Sequence, residues 1–145
     1  MTITAKLKNW RNWNLLKTDF TGQNKTSTYS KGKAGEDKAA QYLCSKGCEI
    51  ICRNWRTQRG EIDIIALDKD VLVFVEVKTL PGGDADILAQ ELNYRKQKRI
   101  IETAKYFLEK HREYSNRKIR FDVLVIDMPG LDSVYHILDA FSEHL

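Results

Sequence analysis

No stretch of about 18 consecutive apolar residues occurs in the 145-residue chain, so no membrane-spanning helix is expected. The first residues lack an apolar core followed by a small-residue cleavage site, so no secretory signal is expected either. Cysteine is scarce. Cys44, Cys48 and Cys52 are an odd set in a chain without such a signal, which points to free thiols in a reducing compartment, the cytoplasm. There is no Cys-x-x-Cys, and His111, His136 and His144 lie far along the chain. That spacing argues against a structural zinc site and leaves the thiols as small hydrophobes. Internal repeats and low-complexity runs are absent. So is any excess of charge over most of the length. Five basic residues (Lys6, Lys8, Arg11, Lys17, Lys25) and one acid (Asp19) in residues 1–30 carry the whole net charge of +4, leaving nineteen residues of each sign beyond them. Affinity for nucleic acid must therefore come from local patches or the tail.

The composition is that of an ordinary globular protein, and the length is that of one domain. Residues 1–30 read as a basic appendage and linker. Ile3, Leu7, Trp10, Trp13 and Leu16 recur at helical steps among Lys and Arg, and residues 21–30 are polar. Such a helix could touch nucleic acid, a membrane surface or a partner, resemble a transit peptide, or fold back on its own domain. Residues 31–145 are expected to form an α/β domain in the order α-β-β-β-α-β-β. A helix is expected from about Ser30 to Lys46, with Ala34, Ala39, Ala40 and Leu43 inward and Gly47 as its stop. Strands are expected at 48–55, 61–67, 71–78, 119–126 and 134–141. A long helix is expected at 93–114, burying Ile100, Ile101, Ala104, Phe107 and Leu108. Residues 80–90, with Pro81, Gly82 and Gly83, are expected as a loop, whose Asp84 and Asp86 would repel DNA near the site.

The strand 71–78 is nearly all apolar, as in a central strand buried on both faces. Glu76 and Lys78 interrupt it at its end and share a face. If Lys69-Asp70 is a two-residue hairpin turn, paired numbers sum to 139. Asp63 then lies opposite Glu76 at about 5 Å between β-carbons, and Glu61 lies opposite Lys78. A one-residue slip would send Asp63 to the other face. Two adjacent carboxylates repel unless a cation sits between them, and Mg²⁺ suits such oxygen ligands. Such an ion can polarise a phosphate and lower the pKa of a bound water, and Lys78 could orient that water or stabilise growing charge. Glu36, near the start of the first helix, could add a carboxylate. The plainer alternative is a set of ordinary ion pairs at a sheet end. Against it, Asp63 sits among Ile62, Ile64 and Ile65, where charge is costly unless paired or bound to metal.

Asp63 followed by Glu76-Val77-Lys78 resembles the PD-(D/E)xK nuclease signature. Gly35-Glu36, Arg53-Asn54-Trp55-Arg56, Gly60-Glu61-Ile62-Asp63, Lys96-Gln97-Lys98-Arg99, Arg120-Phe121-Asp122-Val123 and Ala140-Phe141, in that order, resemble the YraN-type family. That family is similar to archaeal Holliday-junction resolvases and restriction endonucleases. The resemblance implies a restriction-endonuclease-like fold with a mixed central sheet flanked by helices, Mg²⁺ or Mn²⁺ as cofactor, and a branched or structured DNA substrate. By position it implies catalytic roles for Glu36, Asp63, Glu76 and Lys78. Its implied metal ligands are Asp63, Glu76 and the carbonyl of Val77.

The basic residues expected to meet nucleic acid are Arg53, Arg56 and Arg59, with Trp55 stacking on a base, and Lys96, Lys98 and Arg99 on the long helix. The expected function is metal-dependent DNA phosphodiester hydrolysis. A binding or scaffold protein on a nuclease fold is the alternative, and docking of the tail to a partner is a third reading. A resolvase-like enzyme cutting two strands would be expected to act as a symmetric dimer.

Overall fold

A computed structural model describes residues 28–143 of the chain, and side-chain environments from residue 32. The expected tail, up to residue 27, lies outside the described residues. The elements are α1 (Thr28–Ser45), β1 (Glu49–Arg56), β2 (Glu61–Asp68), β3 (Val71–Thr79), α2 (Ala85–Glu91), α3 (Tyr94–Lys110), a 3-10 turn (Arg112–Tyr114), β4 (Lys118–Ile126) and β5 (Val134–Phe141). The expected order holds, with one helix more.

That helix, α2, lies where a loop was expected. Asp84 caps it by accepting a hydrogen bond from the Ile87 N–H at 3.0 Å, and Ala85 and Leu88 are buried. Asp84 is thus an N-cap, satisfying a donor that the first turn leaves open. The long helix ends at Lys110, and the expected last turn tightens into the 3-10 segment. Gly47 ends α1 as expected. Its φ of +85° closes a turn in which the Cys48 N–H reaches the Leu43 carbonyl and the Gly47 N–H that of Cys44. Ala34, expected inward, is exposed, while Ala39 and Leu43 are buried.

The five strands form one mixed sheet in the order β1-β2-β3-β4-β5. β3 and β4 run parallel, and the other neighbours are antiparallel. The parallel pair needs a crossover, which α2 and α3 supply. β3 is central and buried from Leu72 to Glu76, as its apolar run predicts. On one face Ala39 and Leu43 of α1 cover Ile64, Ala66, Val73, Val75, Leu124 and Ile126. On the other, Ile100, Ala104 and Phe107 of α3 and Leu88 of α2 cover Ile62, Ile65, Leu72, Phe74, Val123 and Val125. This is the mixed α/β arrangement of the restriction-endonuclease-like class. Among the described residues no helix is long and apolar enough to cross a membrane. Cys44, Cys48 and Cys52 are free thiols.

Candidate active site

The β2–β3 hairpin has the expected register. Asp68 pairs with Val71 and the ladder continues to Ile64 with Val75, every pair summing to 139. Lys69 takes the left-handed conformation in the turn, with φ +54°. The ladder stops just before the site. Asp63 there uses its side chain instead of its backbone: Oδ2 accepts a hydrogen bond from the Val77 N–H at 2.8 Å. Strand alternation breaks at the same place, since Ile62 and Ile64, two apart, belong to opposite faces of the sheet. Asn54 on the neighbouring strand has φ +51°, a left-handed residue within a strand.

This break turns Glu61 away from Lys78. Its ion pair is with Arg56 across β1, Nε to Oε2 at 3.3 Å, so the expected Glu61–Lys78 pairing is replaced. Glu61 joins Glu36 and Asp63 instead. One carboxylate oxygen from each of the three lies within 4.8 Å of the other two. Glu36 is brought there by a close helix–strand contact. A β-carbon at the buried Gly35 would fall 1.9 Å from Thr79 Oγ1, so any side chain there would have to displace α1 from the end of β3 or turn Thr79 aside. A groove of about 680 Å³ opens beside Glu36, lined by Lys33, Asp37, Arg53, Asn54 and Arg56 among others.

Burial pushes the Asp63 carboxyl up to about 7. Glu76 is the next cause, the Val77 N–H opposes it, and Glu36 and Glu61 add to it. These are hard oxygen donors crowded at one point, with Arg53 3.9 Å from Glu36 and Arg56 3.3 Å from Glu61 at its edge. That chemistry fits a divalent cation such as Mg²⁺ or Mn²⁺. Glu36, Glu61 and Asp63 are the residues that would hold it, with Glu76 beside Asp63.

Glu76 is buried and meets two lysines through the same oxygen. Lys78 Nζ lies 3.6 Å and Lys96 Nζ 3.3 Å from Oε1, and Lys78 also lies 3.5 Å from Glu91 on α2. The expected basic cluster on α3 therefore divides. Lys96 enters the site. The stem of Arg99 lies over Gly60, where a β-carbon would be 3.1 Å from its Cγ. Lys98 is about 200° around the helix from Lys96 and lines a separate cleft with Ser142 and Glu143.

The arginine turn is partly engaged. All three arginines are exposed, with Arg53 tied to Asp37 of α1 at 2.7 Å and Arg56 paired with Glu61. Trp55, expected to stack on a base, packs against Tyr106, edge-on to Phe107 at 5.2 Å and near His111. Its ring is part of the wall under α3.

Glu61 joins the carboxylate cluster without having been expected as a metal ligand. Its spacing from Asp63 was visible, but the break that aims it at Glu36 was not. A second polar network, also unforeseen, lies beneath α1. The fully buried Asp122 accepts from Arg120 at 2.8 and 2.9 Å and from the Asp139 N–H at 2.9 Å, and it pairs with His136 at 2.7 Å. Arg120 continues to Asp68 at 3.0 Å. Burial alone would raise the Asp122 carboxyl, but the His136, Arg120 and Asp139 hydrogen bonds hold it below its ordinary value. The network satisfies its own groups and ties β2, β4 and β5 together.

Residues 35–126 match the profile described as "Uncharacterised protein family UPF0102". The chain is similar to a "UPF0102 protein" of Treponema denticola, 45% identical over 125 residues, which span 79% of this chain and 96% of that one. It is similar to proteins of the same description from Persephonella marina, at 38% identity over 79% of this chain and 95% of that one, and Rhodococcus opacus, at 44% over 76% and 94%. With the match running through α1, the three strands that carry the site, and β4, the chain belongs to the UPF0102 family, the YraN-type group.

Proposed function

We propose that this protein is a divalent-metal-dependent nuclease that hydrolyses DNA phosphodiester bonds, with branched or structured DNA as its substrate. The observation that carries the reading is the convergence of Glu36, Glu61 and Asp63 within 4.8 Å, next to a buried Glu76 flanked by two lysines. Bound among these carboxylates, Mg²⁺ or Mn²⁺ would polarise a phosphate oxygen and lower the pKa of a coordinated water. The chain's own residues do the rest. Asp63 is fixed by the Val77 N–H, so its carboxylate faces the centre without having to reorganise. The Val77 carbonyl is kept as a further ligand on the strength of the family resemblance. Arg53 and Arg56 line the groove beside Glu36 and offer phosphate contacts along the path to the centre.

A symmetric dimer fits an enzyme that cuts two strands, the basic N-terminal segment fits docking to DNA or a partner, and the free thiols fit the cytoplasm. The second reading, a scaffold on a nuclease fold that binds DNA without turnover, is favoured by one observation: residues 31–145 carry no excess positive charge.

The test is cleavage of linear, nicked, flapped and four-way DNA with Mg²⁺ or Mn²⁺ by wild type, Glu76→Ala and Asp63→Asn. Cleavage by wild type alone, strongest on the four-way substrate, is expected. Binding without cleavage by all three proteins would select the scaffold reading.

A further inference from the structure

Lys78 and Lys96 share Glu76 Oε1, but they are not equivalent. Lys78 has a second carboxylate, Glu91 Oε2 at 3.5 Å. Among the described residues, the ion pair of Lys96 is with Glu76 alone. The backbone from which Lys96 departs is held by the helix cap: its N–H donates to Asn93 Oδ1 at 3.0 Å, and the N–H of Gln97 donates to the Asn93 carbonyl at 3.0 Å. Both lysines are partly screened from water, with side chains 21% and 31% exposed, and the carboxylate they share is 6% exposed. Lys78 and Lys96 balance Glu76 and Glu91 in charge, and Lys96, with one carboxylate partner in a screened place, is the ammonium that can turn to an anion while leaving only Glu76 behind.

Resting on the nuclease reading above, we propose that Lys96 is the residue that takes the substrate phosphate at the centre, while Lys78 is a positioning residue held on Glu76 by Glu91. Lys96 can exchange its one carboxylate for a phosphodiester oxygen and remain paired throughout. Lys78 would have to give up two. An ammonium on a flexible stem binds phosphate as a point charge and needs only a short swing to do so. The α3 cluster thus contributes through the lysine nearest Glu76, and Lys98, on the far side of the helix, has no part in it.

The experiment measures binding of a labelled four-way DNA as a function of salt in Ca²⁺, with steady-state cleavage in Mg²⁺ alongside. Lys96→Met is expected to weaken binding about tenfold and to reduce the slope of log K against log salt by about 0.9, the value for one lost phosphate contact. It should raise KM more than it lowers kcat, and Lys96→Arg should restore the slope. Lys78→Met should lower kcat and keep the wild-type slope. A wild-type slope in Lys96→Met, or a slope lost in Lys78→Met instead, overturns the proposal. If wild type cleaves while Lys96→Met binds DNA normally, only this inference fails. If wild type neither binds nor cleaves any DNA, the nuclease reading fails and takes the inference with it.

Discussion

A carboxylate at position 63 is screened from water and set beside Glu76, Glu36 and Glu61, so protonation is its cheapest relief when no cation is bound. Its pKa of about 7 in the fold, against 3.8 as the ordinary value, fixes a sign. Between those values the folded chain holds a proton that the unfolded chain has lost. Stability therefore falls as pH rises from about 4 to about 7, by on the order of 2–4 kcal/mol, and stays low above. Asp63→Asn keeps an oxygen for the Val77 N–H and removes the charge. In a metal chelator it should raise the melting temperature at pH 8 and raise it by much less at pH 5. Equal shifts at the two pH values would show that burial of the Asp63 charge is not what destabilises the fold. The neighbourhood of Asp63 and Glu76 was legible in the sequence, because side chains alternate with period two and the hairpin register follows from a short turn. Glu61 was not legible as a partner of Glu36. It depends on the break in alternation between Ile62 and Ile64, where a side chain takes the place of a ladder hydrogen bond, and on a helix contact from far along the chain.

At the scale of elements, the site exists because α1 closes on the end of β3. Gly35 makes that possible, and its substitution sets two effects against each other. Alanine raises helix propensity by up to about 1 kcal/mol. A β-carbon 1.9 Å from Thr79 Oγ1 must push the helix or rotate the threonine, at about 1–3 kcal/mol. Gly35→Ala is expected to lower stability by about 1 kcal/mol in denaturant titration and to weaken metal binding by displacing Glu36. A gain in stability would mean that α1 does not sit this close. Element boundaries were mostly readable from turns and apolar period. The helix 85–91 was missed although its signal was present: Asp84 stands as a cap before Ala85, Leu88 and Leu92, which recur at helical spacing. The preceding Pro-Gly-Gly and the shortness of the segment concealed it. Trp55 shows the opposite error. An aromatic among arginines suggested an exposed stacking surface, but strand pairing with Ile62 turns it onto Phe107.

For the whole molecule, the parallel pairing of β3 with β4 and the separation of α1 from α2 and α3 onto opposite faces are tertiary facts that no local pattern states. Only the chirality and length of the crossover constrain them. The charge balance, by contrast, was complete in the sequence. With nineteen residues of each sign in residues 31–145, the proposed binding of DNA by the domain would rest on placement. Arg53 and Arg56 line the groove beside Glu36, Arg59 lies in the turn that follows β1, and the Arg99 stem covers Gly60 of that turn. Replacing Arg53, Arg56 and Arg59 by Gln together should weaken DNA binding and flatten its salt dependence by up to about 0.9 per lost phosphate contact. An unchanged slope would remove these arginines from the DNA path.

Glu36, Glu61 and Asp63 are proposed to hold one divalent cation, and binding of Mn²⁺ at pH 8, followed by its electron paramagnetic resonance signal, reads that site without relying on cleavage. Wild type should take up the ion saturably, and Glu61→Gln, in a folded protein, should weaken that binding by at least about tenfold. Wild type that binds no Mn²⁺, or Glu61→Gln that binds it as wild type does, would mean that these three carboxylates do not hold an ion together.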